Sequence, residues 1–118
     1  MFFDNLYERI TENACVDLDR VFSAGHSFGG FMINFLGSQR GTVLNAIAPV
    51  AGGGPWNNCQ GSGAAFLIHG SNDNIVEFSE GEASLVKWQS KNGCSESSVS
   101  SSDGYCVPYD NCTEPVEW

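Results

Sequence analysis

The sequence predicts an α/β fold in which a parallel sheet is crossed by helices. Three observations predict it. Short apolar runs at 21–24, 44–50 and 64–68 end in glycine, proline or a polar turn, as buried parallel strands do. Segments with apolar residues at helical spacing lie before and between them. The order helix–strand–helix–strand–strand–helix is that of a sheet built by crossover connections. The length of 118 residues allows one domain.

Residues 2–13 read as a helix because Phe2, Phe3, Leu6 and Ile10 share a face. A polar turn follows at 17–20, then the apolar run 21–24 ending in Gly25. Residues 28–37 read as a second helix with Phe31, Met32, Phe35 and Leu36 inward, closed near Gly41 and Thr42. The strand 44–50 is ended by Pro49 and the glycines 52–54. The strand 64–68 leads into His69-Gly70-Ser71-Asn72-Asp73. A third helix is expected to start at Ser79, where Ser79-Glu80-Gly81-Glu82 matches a capping box. Leu85, Val86 and Trp88 supply its apolar contacts, and Asn92-Gly93 ends it. Residues 95–104 form a Ser-rich, low-complexity loop, and Val116-Glu117-Trp118 reads as a final strand.

Composition narrows the partners. The formal net charge is −9, from 14 acidic and 5 basic residues. Nucleic acid and anionic membrane both require basic patches, so neither is expected; a neutral polymer fits better. No apolar run is long enough to span a bilayer. The start, Met1-Phe2-Phe3-Asp4-Asn5, has no signal-peptide pattern. The five cysteines (Cys15, Cys59, Cys94, Cys106 and Cys112) nevertheless suggest the disulfide-stapled loops of a secreted protein, since three fall in the irregular last 25 residues. Zinc is the competing explanation, but there is no C-x-x-C pair and both histidines lie far from the cluster, so no metal or cofactor is expected. Connectivity stays open; Cys15 with Cys59 is one pairing considered. Asn111-Cys112-Thr113 is an N-glycosylation sequon.

The run Gly25-His26-Ser27-Phe28-Gly29 carries the chemistry. A G-x-S-x-G pattern gains meaning from its setting, an apolar strand before it and a helix after it. In that setting a tight turn lifts the serine Oγ clear of the sheet, with Gly25 and Gly29 avoiding clashes across the turn and Gly30 letting the helix approach the strands. The N–H of Phe28 is the expected oxyanion donor. The competing reading is a glycine-rich loop with a capping serine. Asp73 is the expected orienting acid, placed after the strand 64–68 at the carboxyl edge of the sheet; otherwise it is an Asx-turn residue. Glu77 and Glu80 are weaker candidates. Of the two histidines, His26 adjoins Ser27 and should point away, and His69 precedes Asp73, whereas this arrangement places the base after the acid. The base is therefore expected outside the chain.

Several segments resemble the secreted esterases that include feruloyl esterases and polyhydroxybutyrate depolymerases. They are Asp19-Arg20-Val21-Phe22 with the run 25–30, then Ala46-Ile47-Ala48-Pro49-Val50-Ala51-Gly52, then His69 to Val76. Trp88, Asn92-Gly93-Cys94, Cys106, Tyr109 to Cys112 and Pro115-Val116-Glu117-Trp118 are similar to the feruloyl esterase side. The resemblance implies a partial α/β-hydrolase domain over 1–118 with a disulfide-bearing C-terminal region. It implies Ser27 as nucleophile and Asp73 as triad acid. The family's preceding strands and its histidine in a Gly-Gly-His context are expected beyond the two ends. A further cysteine after Trp118 is expected to make the count even. The implied protein is a secreted feruloyl esterase acting on plant cell-wall polysaccharide. Trp56 reads either as a platform for a phenolic acyl group or as a packing residue. Alternatives are a polyhydroxybutyrate depolymerase, a serine peptidase of the prolyl-oligopeptidase type, or a fragment inactive by itself.

Overall fold

The computed structural model describes residues 1–56, 59–61, 63–95 and 106–118. Its elements are α1 (Phe2–Asn13), a 3-10 turn (Leu18–Arg20), β1 (Phe22–His26), α2 (Phe28–Gln39), β2 (Ala46–Val50), β3 (Ala64–Phe66), α3 (Phe78–Lys91) and β4 (Val116–Glu117). The strands form one sheet in the order β1-β2-β3-β4, every neighbouring pair parallel. Phe22 faces Ala46 and His26 faces Val50 across the first pair. Parallel neighbours need a crossover. Helix α2 makes the first and α3 the last, but β2 reaches β3 through a loop with no helix among its described residues. The Ser-rich loop expected at 95–104 lies outside the described residues except for Ser95.

One face of the sheet carries the core. Ile47, Ala65, Leu67 and Val116 meet Ile33 and Leu36 of α2 and Leu85 and Trp88 of α3, with Leu44 below them. The alternate residues Phe22, Phe66 and Ile68 are exposed on the opposite face. The inward side of α2 differs from expectation. Ile33, Asn34, Leu36, Gly37 and Ser38 are buried, while Met32 is 45% exposed. Small residues determine this choice: a Cβ on Gly37 would lie 2.9 Å from Ile47 and 3.2 Å from Trp88, so the helix approaches closest along that line. Val86 of α3 is likewise exposed, whereas Leu85 and Trp88 are buried.

Asn34 joins the layers. Its Nδ2 donates to the carbonyls of Gly53 (3.0 Å) and Gly52 (3.4 Å), and its Oδ1 accepts from Trp88 Nε1 (2.8 Å) and Ser84 Oγ (3.4 Å). A fully buried amide is tolerated because these partners meet both of its ends. The start of α3 also departs from expectation. It begins at Phe78, its N-cap Glu77 makes no side-chain capping bond, and Ser79 Oγ reaches Glu77 Oε2 at 3.4 Å, so no capping box forms. Phe78 instead packs its ring against His69 and Trp118, which fixes the first turn one residue earlier.

The C-terminal region is a small hairpin against the sheet edge. Val107 and Trp118 exchange backbone hydrogen bonds, and Tyr109 N–H donates to Val116. A disulfide between Cys94 and Cys112 ties the end of α3 to its turn. Cys15 is exposed, and the pairing with Cys59 considered from the sequence is not formed. Among the described residues no helix is long and apolar enough to cross a membrane.

Helix α1 buries no residue fully. Phe3 packs against the core, but Phe2, Leu6 and Ile10 of the expected face are exposed. A two-pronged ion pair fastens the helix: Arg40 Nε and Nη2 donate to the two Asp4 oxygens at 2.7 and 2.9 Å. Those bonds hold the Asp4 carboxyl at about 2, below its ordinary 3.8, against an opposing effect of desolvation and with help from the chain's α-amino group. The folded value lies below the unfolded one, so this tie is fully present above the unfolded value and lost as pH falls through the folded one. Between pH 4 and 2, α1 is expected to detach first. Protection factors across Phe2–Asn13, measured against the intrinsic exchange rate at each pH, should fall in that window, and Asp4→Asn should show low protection already at neutral pH. A wild-type helix equally protected at both ends of the window would contradict this.

Candidate active site

The sequence from β1 to α2 forces a sharp reversal. Ser27 stands at the junction with φ 55° and ψ −120°, a conformation that costs an L-residue roughly 1–3 kcal/mol. It is held there from both sides. Ser27 N–H donates to Val50 O at 2.9 Å across the strands, and Ser27 O accepts from Phe31 N–H at 3.1 Å within the helix. Although Ser27 occupies the N-cap, its side chain makes no capping bond. The capping-serine alternative therefore does not describe this turn.

Two flanking glycines behave differently. A Cβ on Gly25 would sit 2.6 Å from the Gly29 carbonyl carbon and oxygen, so only glycine fits there. A Cβ on Gly29 would meet nothing within 4 Å, and the expectation that both were needed holds for Gly25 alone. Gly30 does let the helix approach, since its Cβ would lie 2.7 Å from Val50 O. Phe28 opens α2 with an 89% exposed side chain. As a first-turn residue, its N–H has no acceptor within the helix and points out from the positive end.

Ser27 and Phe28 border a cleft of about 740 Å³. Phe31 and Trp56 line it too, with rings stacked 5.5 Å apart and 6° from parallel. Trp56, at 59% exposure, projects from the glycine loop after β2 and is not a core residue. Ile75, Val76, Glu77 and Glu80 complete the lining. Glu77 and Glu80 thus sit on the cleft wall, and sequence reasoning had considered them only as substitutes for Asp73.

Asp73 holds that wall in place. Its Oδ1 accepts from the N–H groups of Ile75 (2.9 Å) and Val76 (3.1 Å). These bonds pull its carboxyl below the ordinary range, opposed by desolvation and aided by the nearby His69 and His26. The Asx-turn reading from the sequence is thus realised through Oδ1. Oδ2 makes no hydrogen bond among the described residues and lies 3.9 Å from His69 Nε2.

His69 is a packed residue. Its side chain is 1% exposed, its Nε2 donates to Val76 O at 2.8 Å, and its ring lies between Phe78 and Trp118. A Cβ on Gly81 would come within 2.6 Å of its Nδ1, so α3 covers the other ring nitrogen. Neither nitrogen is available to take a proton from a cleft-facing hydroxyl. His26 ends β1 with an exposed side chain, on the same strand face as Phe22. The features missed from the sequence are the Phe31–Trp56 stack and the Asn34 bonds that brace the Trp56 loop. The signal for Asn34 was a single polar residue among the apolar and glycine positions from Phe28 to Gly37.

No protein-family model matches the chain. Among curated proteins, it is 30% identical over 96 residues to feruloyl esterase D of Neurospora crassa, covering 79% of this chain and 33% of that protein. It is 31% identical over 125 residues to the probable feruloyl esterase C of Aspergillus niger, covering 99% of this chain and 46% of that protein. It is 29% identical over 142 residues to feruloyl esterase B of Piromyces equi, covering 98% of this chain and 26% of that protein. The chain is thus similar to feruloyl esterases over most of its length, and it spans between about a quarter and a half of theirs.

Proposed function

We propose that the chain carries the nucleophile and acid of a secreted α/β-hydrolase-type serine esterase that cleaves feruloyl esters of plant cell-wall polysaccharide. The observation that carries this reading is Ser27 itself: a strained, uncapped serine between a parallel strand and a helix N-terminus, opening onto a cleft. In the reaction, Ser27 Oγ attacks the ester carbonyl carbon and the alcohol leaves, giving an acyl-enzyme that water then hydrolyses. The Phe28 N–H donates to the oxyanion. Asp73 Oδ2 orients the imidazole of a base other than His26 and His69. The flat Phe31–Trp56 pair offers a face for a phenolic acyl ring. The feruloyl substrate rests on the names of the similar proteins. The alternatives, polyhydroxybutyrate depolymerase and prolyl-oligopeptidase-type peptidase, share the serine turn and differ in substrate.

The test uses the protein that carries this sequence. Methyl ferulate, short hydroxybutyrate oligomers and a peptide amide are compared as substrates, and a fluorophosphonate adduct is mapped by mass spectrometry. Fastest turnover of methyl ferulate with the adduct on Ser27 is the expected result. Ester hydrolysis with the adduct on another serine would reject the site, and preference for either other substrate would reject the substrate class.

A further inference from the structure

We propose that Asn111 is an N-glycan acceptor whose occupancy is set by a race against closure of the Cys94–Cys112 disulfide. Asn111-Cys112-Thr113 is the only Asn-x-Ser/Thr triplet in the sequence. Asn111 is exposed in the turn of the C-terminal hairpin, at the sheet edge opposite β1 and Ser27. An attached sugar there would project into solvent without entering the cleft.

The folded turn, however, cannot itself be the acceptor. Transfer requires the asparagine amide and the threonine hydroxyl both to be open to the transferase. Here Asn111 is left-handed, with φ 58°. Thr113 is engaged twice by one carbonyl: its N–H and its Oγ1 both donate to Asn92 O, at 2.7 and 3.0 Å. Asn92 is anchored in turn, its Nδ2 donating to Gly63 O and Glu114 O at 3.0 and 3.2 Å. The middle residue of the triplet, Cys112, is bonded to Cys94, two residues beyond Asn92. Closing that disulfide brings Thr113 to its acceptor and fixes the turn in the unreactive shape.

The chemistry therefore precedes closure. The Asn111 amide nitrogen attacks the anomeric carbon of a lipid-pyrophosphate-linked oligosaccharide. A C–N bond forms, the C–O bond to pyrophosphate breaks, the lipid pyrophosphate leaves and the amide nitrogen loses one proton. The proposal rests on the secretory route of the functional reading, so the experiment imposes that route and makes the two separable.

The chain is expressed behind a cleavable signal sequence in yeast, pulse-labelled, and compared with and without dithiothreitol during synthesis. A second arm uses Cys94→Ala, which breaks the disulfide, leaves the triplet intact and creates no second one; Cys94→Ser would turn the triplet that starts at Asn92 into a new acceptor, and Cys112→Ser would alter the Asn111 triplet itself. The expected result is partial occupancy in the untreated wild type, read as a mobility shift removed by an endoglycosidase. Both reductant and Cys94→Ala should move the population toward the glycosylated band, and Asn111→Gln should abolish it in every condition. Equal occupancy in open and closed forms would overturn the race. A shift that persists in Asn111→Gln, or no glycan under any condition, would overturn the site.

Discussion

In the protein that carries this sequence, alanine at Ser27 is expected to lower kcat for ester hydrolysis by roughly 10⁴- to 10⁶-fold, the range seen when a serine nucleophile is removed. Stability should scarcely move, because alanine keeps the Cβ that makes the backbone conformation costly. Glycine at the same position should be equally inactive yet more stable by about 1–2 kcal/mol, since it adopts φ 55° without that cost. Urea unfolding of the three proteins and their rates on methyl ferulate check both halves. Two results would count against the reading: residual activity within tenfold of wild type, or a glycine variant less stable than the alanine one. The pairing of lost activity with gained stability distinguishes a turn strained for chemistry from an ordinary helix cap, where either substitution would weaken the fold.

Alanine at Gly52 is expected to destabilise the fold by about 3 kcal/mol or more. Its Cβ would lie 2.5 Å from the carbonyl carbon of Gly30 and 2.7 Å from Phe31 N, backbone atoms in the first turn of α2. No side-chain rotation can relieve such a contact. Either the loop after β2 moves, carrying Trp56 with it, or α2 shifts relative to Ser27. Gly29→Ala supplies the contrast: it adds a Cβ in open space within a helix and should be neutral or stabilising by up to about 1 kcal/mol. Thermal unfolding of the two variants should separate them clearly. A Gly52→Ala protein melting with wild type would mean that the close approach of loop and helix is not required.

The order of elements was legible in the sequence because each strand is a short apolar run stopped by glycine, proline or a polar turn. The face of α2 was not. Nearly every position from Phe28 to Leu36 is apolar or glycine, so periodicity selects no side, and the choice fell to Gly37, Ser38 and Asn34, where small size and paired hydrogen bonds allow close packing. The start of α3 misled for a related reason. A capping-box pattern at Ser79 is a local preference, and packing of Phe78 on His69 and Trp118 outweighed it. At the candidate site, Ser27, Phe28 and Asp73 were found from motif and chain order. The cleft wall was not, because Phe31, Trp56 and Glu80 come from three separate segments that only the folded sheet brings together. His69 shows the converse: a histidine beside a proposed acid reads as chemistry in one dimension, and its burial between two rings removes it.

The Cys94–Cys112 bond has a topological meaning as well. With a sequence separation of 18, it turns the Ser-rich stretch into part of a covalent ring. One cut inside the ring opens the backbone but releases nothing: the piece ending near Cys94 and the piece bearing Cys112, Val116 and Trp118 stay joined through sulfur. The last strand of the sheet thus remains tethered to α3 after such a nick, and only reduction lets it go.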